Sequence, residues 1–202
     1  MKAEAIISGL RSTALTAGSG YPDDEELWQA IRQGEEEALT TLFRKYFAPL
    51  YNYAMSLSPQ QPLAEDAIQE IFLYIWHKRD QLHFSQSVRA YLFRSVRYYV
   101  LHTLSQRERR ESSVEEMEDR YPDEAFTPEE QLIFEESVRL EQERIHQALR
   151  KLPVRLREAL YLKTYQGLTH REIAAVMKIS PQVARNYISQ AYRRLQKILI
   201  LE

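Results

Sequence analysis

Apolar residues recur at intervals of three and four along almost the whole chain, and runs of alternating polarity are hard to find, so the pattern predicts an all-α protein. Asp23 and Asp24 open an acidic first turn ahead of Leu27, Trp28 and Ile31, a short amphipathic helix that Gly34 stops. A longer helix is predicted from Glu35 to about Leu57, with Leu39, Leu42, Phe43, Tyr46, Leu50, Tyr53 and Ala54 on one face. Pro59 and Pro62 break the pattern. A third helix then runs from Ala64 to about Arg79, carrying Ala67, Ile68, Ile71, Phe72, Ile75 and Trp76. A polar loop around 81–87 leads to a fourth, from Val88 to about Arg107, with Tyr91, Leu92, Ser95, Val96, Tyr99 and Val100. Shared aromatic-rich faces and short connections predict one domain over 23–107.

The pattern changes after Arg107. Residues 108–127 are polar and strongly acidic with few apolar anchors and read as extended or disordered. Thr127-Pro128-Glu129-Glu130 offers an N-cap, a proline at the first helical position and two first-turn acids, so a helix is expected from there toward Leu152, with Pro153 as its stop. The expected organisation is two small helical domains: a flexible tail over 1–22, the domain over 23–107, an acidic linker over 108–137 and a second domain over 138–202.

Thr169-His-Arg-Glu172 fits a capping box, and Ser180-Pro181 is an N-cap followed by proline at the first helical position, so two helices start within a short interval. Ile173 and Met177 make the inward side of the first; Ala184, Ile188, Ala191 and Leu195 make that of the second. Small Ala174 and Ala184 allow the close crossing that a helix-turn-helix requires. Gln182, Arg185, Asn186, Ser189, Gln190, Arg193 and Arg194 are left outward. That surface suits a major groove, since Arg pairs with guanine, Asn and Gln pair with adenine, and remaining cations pair with phosphates. The alternative is a helical hairpin with an ordinary solvated face.

Composition narrows the class. A chain of 202 residues with 44% hydrophobic content can bury a core in one large or two small domains. There is no cysteine, hence no disulfide and no thiolate metal cluster, which fits a reducing compartment; a cytoplasmic location is expected. The longest apolar run, Ile71 to Trp76, falls far short of the roughly 20 residues of a membrane-spanning helix, so no direct membrane insertion is expected. Glu4 and Arg11 bracket a stretch too short for a secretory core.

Charge is uneven. Between Glu108 and Glu136 there are twelve acids against three arginines, and from Val138 onward thirteen Lys and Arg against five acids, within a net charge of −2.

Two sets of residues resemble the extracytoplasmic-function sigma factors of bacterial RNA polymerase. Ala148 to Pro153, Arg157, Gly167 to Ala174, Ile179-Ser180 and Ala191 to Leu195 are similar to that family's C-terminal domain. Ala64 to Phe72, Trp76 and Tyr91-Leu-Phe-Arg94 are similar to its N-terminal domain. The resemblance implies that the N-terminal domain docks on the polymerase β′ clamp helices and melts the minus-10 promoter element, and that the C-terminal domain reads the minus-35 element and contacts the β flap. Carried over by position, polymerase docking falls on Asp66, Gln69, Glu70 and Leu73. Contacts to minus-10 DNA fall on Phe84, Ser85, Arg89, Arg94, Arg97 and Tyr98, with Phe84 equally suited to be a core anchor or a stacking platform. Contacts to minus-35 DNA fall on Arg171, Gln182, Arg185, Asn186, Ser189, Gln190 and Arg193. An anti-sigma factor, membrane-anchored in many family members, is implied as a further partner. The acidic linker, including Glu115 to Asp119, is expected to follow the basic RNA exit channel or to serve as an extended spacer.

There are three departures from the family pattern. Tyr98 replaces an asparagine, Lys178 stands where a turn glycine is usual and must accept a left-handed backbone or an altered turn, and Val183-Ala184 replaces a Thr-Val pair.

Two other classes remain open. A free-standing helix-turn-helix regulator would use 25–107 as a sensor or dimerisation domain. A helical-bundle metalloenzyme is suggested by the spacing of Glu143 and His146, but such a site needs a second copy of the motif and further carboxylates, and no cofactor or catalytic residue is expected.

Overall fold

The computed structural model describes residues 23–82, 87–111 and 147–201, and all the regular structure among them is helical. These residues fall into two units, one on each side of the segment 112–146.

In the first unit, α1 (Asp24–Arg32) buries Leu27, Trp28 and Ile31 and ends at Gly34, whose φ of 89° belongs to the left-handed region. The Glu35 amide donates to the Ala30 carbonyl at 3.1 Å and the Gly34 amide to the Ile31 carbonyl at 3.0 Å. This is a Schellman closure, in which the left-handed residue turns the chain back onto orphan carbonyls of the helix end. The next helix, α2 (Glu36–Leu57), passes through Pro49, which removes one amide donor from its ladder.

The third helix, α3 (Gln61–Lys78), begins earlier than the apolar pattern indicates. Pro62 does not break it. The proline sits in the first turn, where the amides have no intrahelical acceptor and its fixed φ already suits a helix. Arg79 closes the other end, donating from Nη1 to the Trp76 carbonyl at 2.7 Å with its guanidinium 4.7 Å from the Trp76 ring centre.

The fourth helix, α4 (Val88–Glu111), continues past Arg107. Arg107 donates from Nη1 to Gln60 Oε1 at 2.7 Å and so ties α4 to the start of α3. The core is aromatic: Phe43 meets Phe72 edge to face at 5.0 Å, and Tyr53 meets Phe93 at 5.3 Å. Tyr46 hydrogen-bonds to Asp24 Oδ2, and Lys45 pairs with Asp24 Oδ1 at 2.8 Å, fastening α1 to α2.

The second unit begins with a helical stretch at 147–150, the described end of the helix expected before Pro153; the start of that helix lies outside the described residues. It continues with α5 (Val154–Thr164), α6 (His170–Met177) and α7 (Pro181–Leu201). The sequence pattern assigns no separate helix to 154–164. The reason is burial all round: every residue from Leu156 to Leu162 is buried, including Arg157 at 3% exposure and Glu158 at 0%. A helix covered on every side shows no apolar stripe. Arg157 reaches back from Nη1 to the Arg150 carbonyl at 3.5 Å, joining α5 to the preceding turn. Leu152, Leu156, Leu160 and Ala191 form a buried cluster against which Leu149, Tyr187, Leu195 and Ile198 pack.

Candidate nucleic-acid interface

The helix-turn-helix is built by local chemistry that the sequence announces. Thr169 Oγ1 accepts from the Glu172 amide at 3.3 Å, and Glu172 Oε2 accepts from the Thr169 amide at 2.9 Å, completing the capping box that starts α6. At the other end of α6, Lys178 takes φ 54° and ψ 47°, and the Ile179 amide donates to the Ala174 carbonyl at 3.0 Å. Lysine therefore accepts the left-handed conformation, and the turn shares with Gly34 the bond from the following amide back to the carbonyl five residues earlier, while the Lys178 amide itself also donates to the Ala174 carbonyl. Ser180 Oγ accepts from the Val183 amide at 3.2 Å and starts α7. Ala174 and Ala184 are both buried, so α6 and α7 cross at close range.

That crossing fixes which side of α7 faces outward. Ala184, Ile188 and Ala191 are buried. On the opposite side Gln182, Arg185, Asn186, Gln190, Arg193 and Arg194 are exposed and Ser189 is half-buried. Gln182 Nε2 donates to Asn186 Oδ1 at 3.2 Å, so these two amides form one hydrogen-bonding edge at the start of the helix. Arg171 is exposed in the first turn of α6.

In the first unit, Asp66 and Glu70 are exposed on α3, with Gln69 and Leu73 half-buried beside them. Their spacing places all four within one arc of the helix, opposite Ile68, Ile71 and Ile75. The carboxylates are felt next door. Burial pushes the Tyr99 hydroxyl on α4 above its ordinary value, and Asp66 and Glu70 push it the same way, with Arg107 opposing.

The residues assigned to minus-10 DNA are only partly brought together. Phe84 and Ser85 lie outside the described residues. Arg94 and Tyr98 are exposed one turn apart on α4, and Arg97 is half-buried on the flank of that line. Arg89 is half-buried and nine positions before Tyr98, which on a helix is the opposite side. Two side chains escaped the sequence reading. Tyr98 stacks on His102, ring centres 5.3 Å apart, and Gln106 Nε2 lies 3.4 Å from His102 Nε2. The four-residue spacing was the available signal, but on its own it matches a core stripe equally well.

Comparison with known proteins bears on both units. Residues 42–110 match the family model described as Sigma-70 region 2, and residues 142–195 match Sigma-70, region 4. The RNA polymerase sigma factor NccH of Alcaligenes xylosoxydans xylosoxydans is 25% identical over 189 residues, spanning 87% of this chain and 94% of that protein. The ECF RNA polymerase sigma factor SigL of Mycobacterium tuberculosis is 25% identical, spanning 82% of this chain and 90% of that protein. The fold is similar to that of the sigma factor RpoE solved in complex with the anti-sigma factor NepR from Bartonella quintana, with a TM-score of 0.59 and 22% identity over 82% of this chain and 99% of that one. With regions 2 and 4 matched in order along one all-α polypeptide, the chain belongs to the sigma-70 family, among its extracytoplasmic-function members.

Proposed function

We propose that this protein binds core RNA polymerase and directs initiation at promoters that it selects through two elements. The observation that carries the reading is the pairing, in one chain, of a capped helix-turn-helix displaying Arg185, Asn186 and Gln190 with a second helical unit displaying Asp66 and Glu70. In this reading α7 enters the major groove at the minus-35 element. Arg185 suits guanine, Gln182, Asn186 and Gln190 suit adenine edges, and Arg171, Ser189 and Arg193 hold phosphates. Residues Asp66, Gln69, Glu70 and Leu73 dock on the β′ clamp helices, and the β flap receives the second unit. Melting of the minus-10 element falls to α4 and the loop before it, through Arg94, Arg97 and Tyr98, with Arg89, Phe84 and Ser85 assigned by resemblance. The proposed domain limits are 23–107 and 138–202, joined by the acidic linker.

A net charge of −2 supports a factor that borrows affinity. A free-standing DNA-binding protein neutralises many phosphates itself, whereas here the polymerase holds the DNA and the factor contributes choice. Sigma factors are not enzymes, and among the described residues no group of three or more His, Asp or Glu could hold a metal ion. Glu143 and His146 lie outside the described residues. No helix of the described residues is long and apolar enough to cross a membrane. An anti-sigma factor is proposed as the inhibitory partner, supported by the NepR-bound relative.

Run-off transcription with core polymerase over a promoter library tests the function. The expected result is initiation at a subset of promoters sharing minus-35 and minus-10 sequences. A chain that fails to associate with core polymerase, yet grips duplex DNA alone at nanomolar strength, would instead be a free-standing regulator.

A further inference from the structure

Gln182 and Asn186 stand one turn apart at the start of α7, both exposed, on the side away from buried Ala184, Ile188 and Ala191. In a helix-turn-helix the first residues of the second helix are the ones that meet base edges. Gln182 Nε2 donates to Asn186 Oδ1 at 3.2 Å. Among the described residues no other hydrogen bond engages either side-chain amide. A pair at this spacing also supports the helix, but helix support alone is indifferent to what the pair presents outward.

A carboxamide has a donor end and an acceptor end of nearly equal size, so a lone asparagine turns over at little cost. The bond removes that freedom. If the Asn186 amide turned over by itself, its nitrogen would face Gln182 Nε2, donor against donor. Both amides turning over together would restore a bond, but the helix field opposes it. In the observed arrangement each amide oxygen points toward the N-terminal end of α7, where the helix dipole is positive; the joint reversal would point both nitrogens there. Asn186 is therefore held with its oxygen toward Gln182 and its nitrogen away from it. One lone pair of Oδ1 and the hydrogens of Nδ2 stay available.

The order of those two groups matters in a major groove. Asparagine meets adenine by donating to N7 and accepting from N6, and an A·T pair shows N7, N6, O4 and methyl across the groove in the opposite order to T·A. With the oxygen on the Gln182 side, both bonds form only when N6 lies on that side. Water weakens the Gln182 bond in the free protein. Once the groove excludes water, a reversed amide leaves unmet groups and the discrimination grows.

We propose that Gln182 is a positioning residue that fixes which way round Asn186 meets its base pair, so that one minus-35 position distinguishes A·T from T·A. The inference rests on the minus-35 reading proposed above. It goes beyond that reading in giving Gln182 a role exerted through Asn186: the amide chemistry that suits Gln182 to adenine is engaged with its neighbour.

The test uses the full chain with core polymerase on a promoter taken from the run-off library, with each minus-35 base pair replaced in turn by the other three. The wild type should favour one orientation of an A·T pair over the other roughly tenfold at one position, the value of a single bidentate contact. Asn186→Ala should flatten that position. Gln182→Leu, which keeps the length of the side chain and removes its amide, should let Asn186 turn over and erase most of the same preference. Gln182→Glu accepts only, so it draws the Asn186 nitrogen toward itself; initiation should fall on all templates through repulsion of phosphates, and at this position alone the preference should reverse. In an Asn186→Ala background neither change at residue 182 should alter the preference there.

If Asn186→Ala flattens the position and Gln182→Leu leaves it selective, Gln182 does not position Asn186, and the inference fails while the minus-35 reading stands. If Gln182→Leu flattens a different position, the two amides read separate base pairs and the inference fails again. If neither substitution changes preference anywhere, the pair supports the helix alone. If the wild-type chain initiates at no promoter, the promoter function falls and takes the inference with it.

Discussion

The two units solve the same packing problem with opposite materials. Residues 23–111 use large rings, with Phe43 against Phe72 and Tyr53 against Phe93, so four helices are locked by interdigitating side chains. Residues 147–201 use small ones where it matters: Ala174 on α6 and Ala184 on α7 are buried, and Ala191 is buried against Leu152, Leu156 and Leu160. Large rings hold helices apart and leave broad outward faces, as on α3 and α4. Alanines let two helices touch, which pushes the polar side of α7 out as a single ridge. Among the surfaces assigned above, α3 presents the carboxylates Asp66 and Glu70, whereas α7 presents Arg185, Arg193 and Arg194.

The largest effects should come from breaking each core separately. Phe72→Ala removes a fully buried ring and should cost the first unit about 3–5 kcal/mol, while Leu162→Ala should cost the second about 2–5 kcal/mol. Both tryptophans of the chain, Trp28 and Trp76, lie in the first unit, so their fluorescence reports on that unit alone. Phe72→Ala should lower the midpoint of the tryptophan transition, and Leu162→Ala should lower only the helical signal in far-UV circular dichroism. Equal movement of the tryptophan transition by both variants would mean one cooperative core instead of two.

Next in size are the surfaces. Gln69→Ala with Glu70→Ala should weaken core polymerase binding by at least about 2 kcal/mol if these are central contacts. Arg185→Ala should leave that affinity alone and cost about 1–3 kcal/mol in promoter binding, relaxing preference at one minus-35 position. Binding measured by fluorescence anisotropy, with core polymerase alone and then with promoter DNA, separates the two. A double variant with full core affinity would move the docking face off α3.

What the sequence disclosed follows from where periodicity survives. α1, α2, α4, α6 and α7 each bury one side and expose another, so the extents of α1 and α2 are legible to within a residue or two and the starts of α4, α6 and α7 are readable from Val88 and from the caps at Thr169 and Ser180, while α4 runs four residues past Arg107. α5 is hidden because seven consecutive buried residues, two of them charged, carry no stripe. Pro62 misleads because a proline reads as a breaker unless the first turn is already known. At the site, the outward residues of α7 are legible because its inward residues are. The Tyr98–His102 stack is not, since tyrosine and histidine four apart have no meaning until the helix's buried side is fixed by Leu92, Val96 and Val100.

The two units also share a device that differs by one side chain. Gly34 and Lys178 both sit left-handed at a helix end, at φ 89° and 54°, each followed by an amide that donates five residues back. A Cβ at Gly34 would meet only Arg79 Nε at 4.0 Å, so space is not the issue and backbone strain decides. Gly34→Ala should therefore destabilise the first unit by about 1 kcal/mol, and Lys178→Gly should stabilise the second by a similar or smaller amount, about 0.5–1 kcal/mol. Denaturant midpoints give both. Two shifts of the same sign would mean that the side chain of Lys178 contributes more than its backbone costs.

The smallest effect belongs to α4 alone, and it reports on the acidic face without any partner present. Tyr91 and Tyr99 both hold their protons more tightly in the folded state. For Tyr91 the cause is burial, reduced by the hydrogen bond with Ser95 and reinforced by Tyr74; for Tyr99 it is burial together with Asp66 and Glu70. A tyrosine in the unfolded chain loses its proton near pH 10. Above that pH the folded chain retains protons that the unfolded chain has shed, so stability falls as pH rises from about 10 through the folded values, and below about 10 these groups contribute no slope. Tyr99→Phe should flatten this alkaline limb in tryptophan-monitored unfolding and leave stability at pH 7 nearly unchanged. Asp66→Asn should flatten it less, because it removes one contribution to the Tyr99 shift and leaves burial in place. If Asp66→Asn changes nothing there, the carboxylate stands too far from Tyr99 to share a surface with it, and the acidic face of α3 is narrower than its helical spacing implies.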